Sequence, residues 1–156
     1  VACPGSRRRA VGKYPCGRAP LLISAAMPLL PHDLLAVPSS CDAPKARLVC
    51  FPHSGGGPSA YVALAEHFEP LSVEVVCVSL PGRERRLEEA PLESAEAIVK
   101  FVASALISSG LVDDVPYAFF GHSLGALLAY EVAQRLHVDL APGRPRPIHL
   151  FASGHG

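Results

Sequence analysis

The stretch FFGHSLGALLAY, residues 119–130, sets Ser123 between two glycines in the order Gly121-His122-Ser123-Leu124-Gly125. A serine in a G-x-S-x-G turn can attack a carbonyl carbon when the turn joins a strand to a helix. The glycines are a steric requirement. The serine backbone is strained in such a turn, and side chains on either side of it would collide with the neighbouring strand and helix. The following helix points its positive N-terminal end at the serine, where an attacked carbonyl oxygen would gather negative charge. Five loosely specified positions also recur by chance, and a serine between glycines can equally be the cap of an ordinary helix, so the surrounding elements must decide.

A second chemically suggestive stretch is FPHSGGG, residues 51–57. Glycines such as Gly55 and Gly56 let a backbone approach a substrate closely and aim N–H groups at it. The Ser54 amide is the expected oxyanion donor from this loop, with the Leu124 amide as the other. The loop lacks the Lys and the spacing of a phosphate-binding P-loop. His53 is expected to shape the loop or face a substrate, because in this arrangement the catalytic base follows the nucleophile in chain order.

After Ser123 the titratable candidates are Glu131, His137, Asp139, His149 and His155. At 1.5 Å per residue, the far end of a helix starting at Leu124 lies roughly 20 Å from the serine, which removes His137 and Asp139. His149 stands early in a strand that is only starting back toward the serine. His155 reaches the correct edge, but no carboxylate accompanies it. A catalytic Asp and His are therefore not found in this chain.

The elements that must position these residues follow from periodicity. Apolar runs at 46–51, 73–80, 116–120 and 147–153 read as buried strands, each followed directly by Pro or Gly. Helical spacing appears at 58–68, at 92–108 with Glu93 and Glu96 expected in its first turn, and at 124–137. Strands and helices alternate and the strands are continuously apolar, which predicts an α/β protein with helices on both faces of a parallel sheet. Residues 1–44 are rich in Pro, Arg and Ser without a sustained period, and are expected to be a poorly ordered leader. Met27 is the single methionine and the chain begins with Val1, so translation is expected to start naturally at Met27.

Composition excludes several classes. Fourteen Lys plus Arg balance fourteen Asp plus Glu, so no net field draws the chain to nucleic acid or to an anionic membrane. No apolar run approaches the roughly 20 residues of a membrane-spanning helix. The five cysteines form no C-x-x-C pair, and Cys50 and Cys77 fall inside apolar strands, so reduced thiols and a cytoplasmic setting are expected. No metal site is expected.

RLVCFPHSGGG, VSLPGRERRLEE, FFGHSLGALLAYEVAQRL and HLFASG, in that order across residues 46–154, together resemble the type II thioesterases. These are α/β-hydrolases associated with nonribosomal peptide, polyketide and fatty acid synthesis. The resemblance implies Ser123 as nucleophile and, as substrate, an acyl group in thioester linkage to the phosphopantetheine arm of an acyl or peptidyl carrier protein. The carrier domain would be the partner, and no cofactor is needed beyond the arm the substrate carries. It also implies that the acid and base lie on further strands, so that residues 45–156 are the N-terminal part of a C-terminally truncated thioesterase domain and inactive alone. The Leu80-Pro81-Gly82-Arg83-Glu84 loop belongs to the family pattern or is simply a solvated charged loop. Alternatives are a generic serine esterase or lipase and a non-catalytic hydrolase-like binding module. A malonyl-type acyltransferase stands further off, since it typically carries Glu at the position of Ala126 and lacks the early His-x-Gly-Gly-Gly loop.

Overall fold

The computed structural model describes residues 35–39 and 41–154; the Met27 start and His155 fall outside them. Among these residues five strands form one sheet: β1 (Leu35–Ser39), β2 (Ala46–Phe51), β3 (Val73–Val78), β4 (Tyr117–His122) and β5 (Leu150–Ser153). Their order across the sheet is β1-β3-β2-β4-β5. β2, β3, β4 and β5 run parallel, and β1 pairs antiparallel with β3 at one edge. The expected mostly parallel α/β sheet is the one observed.

The helices α1 (Val62–Phe68), α2 (Ala95–Ser109) and α3 (Leu124–Asp139) cover both faces. Alternation along each strand divides the apolar residues between two cores. Val49, Phe51, Val76, Val78 and Phe119 pack with Val102 and Leu106 of α2 and Leu128 and Val132 of α3. On the other face Leu48, Cys50, Val75 and Cys77 pack with Tyr61 and Ala65. Cys50 and Cys77 are opposite each other in the β2–β3 register and fully buried, as small core residues, and burial pushes the Cys77 thiol well up.

Three expectations change in detail. Leu35–Ser39 lies within the expected leader but is the edge strand β1, with Leu35, Ala36 and Val37 buried. A strand this short carries too few residues for a visible period, and only its antiparallel partner β3 fixes it. The helix expected over 58–68 is split into a 3-10 turn, Pro58–Tyr61, followed by α1. α2 begins later than expected because Ser94 is its N-cap, accepting from the Ala97 amide at 3.1 Å, so Glu93 falls outside the first turn and Glu96 inside it.

Arg47 is the charged residue that the strand pattern conceals. It sits opposite Glu74 in the β2–β3 register, and both are 8% exposed. Its Nε donates to Glu74 Oε2 at 2.6 Å and its Nη1 to Leu111 O at 2.6 Å, with Asp114 as a further partner. Burial alone would lower the guanidinium pKa, but the hydrogen bonds to Asp114 and Glu74 outweigh it and leave it raised. Arg47→Met is expected to lose about 3–5 kcal/mol of stability, because the buried Glu74 carboxylate loses its counter-charge. Arg47→Met with Glu74→Gln should recover part of that loss. Urea midpoints of the two variants check both statements.

Candidate active site

β4 ends at His122 and α3 begins at Leu124, so one residue, Ser123, turns the chain from strand to helix. It does so at φ 53° and ψ −121°, a conformation that L-residues avoid. Ser123 occupies the N-cap position, yet its side chain makes no capping bond, and its hydroxyl has no hydrogen-bond partner among the described residues. It is exposed. The capping reading of the serine therefore fails, and its hydroxyl is presented to solvent at the C-terminal edge of the sheet.

The two glycines are where a side chain could not fit. A Cβ on Gly121 would lie 2.2 Å from Gly125 O, and a Cβ on Gly125 would lie 2.1 Å from Phe51 O. Ordinary van der Waals contact begins well beyond that, so the first turn of α3 rests directly on the end of β2, where the glycine-rich loop starts. β5 holds the turn from the other side. The Ser123 amide donates to Ser153 O at 2.9 Å, and His122 Nδ1 lies 3.2 Å from Ser153 Oγ.

The loop after β2 is shaped by its own residues. The Gly56 amide donates to His53 O at 3.0 Å, closing a turn that leaves the Ser54 and Gly55 amides unused by it. Gly55 adopts φ 78°, and the His53 ring lies so close over Gly56 that a Cβ there would meet it at 2.7 Å. The His53 and His122 rings meet edge to face with centroids 6.2 Å apart, which brings loop and turn together. Upstream, the Tyr61 hydroxyl donates to Phe51 O at 2.6 Å. Burial raises the Tyr61 pKa, so the phenol stays a donor at any working pH.

Leu124 is the first residue of α3, so its amide has no partner within the helix. The other candidates lie away from the turn. His137 is in the last turn of α3, where its Nδ1 accepts from Arg146 Nε at 3.2 Å, and Asp139 pairs with Arg135 at 2.6 Å. Glu131 is exposed on the same helix, and the exposed His149 packs at a tilt against Phe151 with centroids 4.4 Å apart.

The sequence leaves the charged loop after β3 undecided and assigns no role to Glu84, Arg86 or Tyr61. Arg86 is buried, its Nη1 donating to Ser79 O at 2.8 Å, and it pairs with Glu89. Glu84 reaches across to Ser59, accepting from its amide at 3.2 and 3.3 Å and from its hydroxyl. The run RERR was the available signal, but charge runs are ordinarily solvated faces.

An apolar groove of about 330 Å³ lies elsewhere, on the α1 face toward the strands' N-terminal ends, lined by residues including Leu48, Leu64, Phe68, Phe120 and Phe151. It is at the opposite end of β2 and β4 from Ser123. Among the described residues no helix is long and apolar enough to cross a membrane, and no group of His, Cys, Asp and Glu could hold a metal ion.

The thioesterase-domain family matches residues 46–155. Gramicidin S biosynthesis protein GrsT of Aneurinibacillus migulanus is 42% identical over 72% of this chain and 41% of its own length. The human medium-chain S-acyl fatty acid synthase thioesterase is 40% identical over 69% of this chain and 38% of its own. RedJ, a thioesterase from the prodiginine biosynthetic pathway in Streptomyces coelicolor, superposes with a TM-score of 0.62 at 49% identity, covering 70% of this chain and 39% of RedJ. The chain thus spans about two fifths of the length of these relatives. A strained serine between two backbone-contacting glycines, the loop resting against it and a match running unbroken from β2 to β5 agree: this chain belongs to the thioesterase domain family.

Proposed function

We propose that the chain carries the nucleophile and oxyanion hole of a type II thioesterase, which removes acyl groups from the phosphopantetheine arm of carrier proteins serving a nonribosomal peptide or polyketide synthetase. The observation that carries this reading is Ser123 at φ 53°, uncapped and exposed at the strand end, with Gly125 seated on Phe51 O. GrsT is a gramicidin S biosynthesis protein and RedJ a thioesterase of the prodiginine biosynthetic pathway, and a place beside a biosynthetic assembly supports the substrate class.

In this reading Ser123 Oγ attacks the thioester carbonyl and gives its proton to a base. The oxyanion receives hydrogen bonds from the Leu124 and Ser54 amides, and the positive end of α3 favours the same charge. The C–S bond then breaks and the phosphopantetheine thiolate leaves. Thiols are good leaving groups, so this half needs little acid help. Water, deprotonated by the base, attacks the acyl-serine carbonyl, and the free acid departs as the serine is regenerated. The arm arrives with the substrate, so the protein supplies no cofactor of its own. We place the reaction in the cytoplasm, beside the synthetase.

The test compares deacylation of an acyl carrier protein with cleavage of a soluble ester of the same acyl group, by the full product of the gene. kcat/KM is expected to favour the carrier substrate by at least about tenfold, since binding energy from the carrier and arm can be used in the transition state. Equal or better cleavage of the soluble ester would replace the carrier reading with a generic esterase. The family resemblance sets the acid and base on further strands, so on this reading residues 1–156 by themselves are expected to turn over about 10⁴ to 10⁶ times more slowly in the same assay.

A further inference from the structure

The glycine-rich loop is tied down at both ends. At its start, Tyr61 holds Phe51 O and Gly125 packs against the same carbonyl. At its far end the tie is Glu84, which comes from a different part of the chain. Both of its carboxylate oxygens accept from the Ser59 amide, at 3.2 and 3.3 Å, and the Ser59 hydroxyl donates to Oε1. The carboxylate lies so close over Gly57 that a Cβ there would meet Glu84 Cδ at 2.6 Å. Between these two ties the loop's internal backbone bond is the one from the Gly56 amide to His53 O.

Glu84 is itself held in a costly conformation, φ 43°. Such strain persists only where the surroundings over-determine it. Here the Gly82 amide donates to Arg86 O at 2.9 Å, the Arg86 amide donates to Arg83 O at 2.8 Å, and the buried Arg86 side chain anchors the turn to Ser79 O at the end of β3. A charged loop that was merely solvated would have no reason to bury Arg86 or to strain Glu84.

We propose that Glu84 is a positioning residue for the oxyanion hole: it clamps Gly57 and Ser59 so that the preceding turn presents the Ser54 amide toward the carbonyl bound at Ser123. This rests on the reading of Ser123 and Ser54 given above. Glu84 acts through the loop and touches no reacting atom. The carboxylate is exposed and its two bonds from the Ser59 amide are long, so the charge-assisted bond from the Ser59 hydroxyl and the packing over Gly57 carry most of the clamp, suited to fixing a segment that glycines leave loose.

The test uses the full product of the gene, measuring both fluorophosphonate labelling of Ser123 and steady-state thioester hydrolysis. Glu84→Ala should slow labelling and lower kcat by about ten- to a hundredfold, the effect of a small misplacement at a reacting centre, with KM little changed. Glu84→Gln keeps an oxygen for the Ser59 amide and should recover most of the rate. Gly57→Ala is an independent probe, because Gly57 has the extended backbone (φ −149°) that alanine adopts readily, while its Cβ must displace the carboxylate. It should reproduce the Glu84→Ala loss, and it carries the test if Glu84→Ala does not fold. The double variant should be no slower than either single one, since both break the same tie. Wild-type labelling rates in both single variants, or losses that multiply in the double one, would overturn the role of Glu84 alone. A wild type that labels no faster than Ser123→Ala would overturn the nucleophile reading, and the clamp with it.

Discussion

Replacing Ser123 by alanine is expected to abolish acyl-enzyme formation and to lower turnover of the full gene product by about 10⁴ to 10⁶, the cost of deleting a nucleophile from a serine hydrolase. The measurement is covalent fluorophosphonate labelling, followed by mass spectrometry of the modified peptide, together with thioester hydrolysis. Stability gives a second and independent readout. A serine that capped α3 would cost about 1 kcal/mol on replacement by alanine. Ser123 makes no cap bond, so Ser123→Ala should melt within a degree or two of the wild type. Ser123→Gly separates the two roles further. The strain at φ 53° is on the order of 1–3 kcal/mol, and glycine's extra chain entropy costs about 0.5–1 kcal/mol, so the strain relief wins. The glycine variant should therefore be inactive and at least as stable as the wild type. An inactive variant that is also destabilised by about 1 kcal/mol would point back to a capping serine.

Gly125→Ala reverses the usual sign of a glycine-to-alanine change in a helix. In an ordinary helix alanine is favoured by about 1 kcal/mol. At this position the new Cβ would lie 2.1 Å from Phe51 O and 2.8 Å from Phe51 C and Pro52 O, all backbone atoms that cannot rotate aside. Overpacking of this kind costs about 1–3 kcal/mol or more, so the net expectation is destabilisation. The relief available to the structure is to slide the first turn of α3 away from β2, which carries Ser123 and the Leu124 amide off the glycine-rich loop. Labelling of Ser123 is then expected to fall about a hundredfold, in parallel with a lower denaturant midpoint. A stabilised, fully labelled Gly125→Ala protein would show that α3 does not rest on the end of β2.

The two variants bear on different links of one chain. On the proposed reading Ser123→Ala removes the attacking atom, while Gly125→Ala leaves it in place and moves the surfaces that align it. Loss of labelling in both, with loss of stability in the second only, is the signature expected of a turn built to aim a nucleophile.

The parts of the molecule written in local periodicity were legible before any coordinates. Continuous apolar runs are what strands covered on both faces require, and the runs at β2, β3 and β4 were recognisable for that reason. The Gly-His-Ser-Leu-Gly spacing, following one such run and opening a helix, carried the turn and its serine, because the steric need for glycine at Gly121 and Gly125 depends on the two elements the turn itself joins. β1 was hidden: a five-residue strand containing Pro38 has no period of its own, and its place comes entirely from pairing with β3.

Contacts between distant segments had no local trace. Arg47 reads as a break in an apolar strand until the β2–β3 register sets it beside Glu74, twenty-seven residues away. Glu84 reads as one charge among several until folding brings it over Gly57 and Ser59. Local pattern was enough for the α/β alternation, the serine turn and the glycine-rich loop, because periodicity and sterics act between near neighbours. Which strand lies beside which, what α3 rests on and what clamps the loop follow from folding alone, because those are pairings between segments whose distance in the chain carries no energy until the sheet has formed.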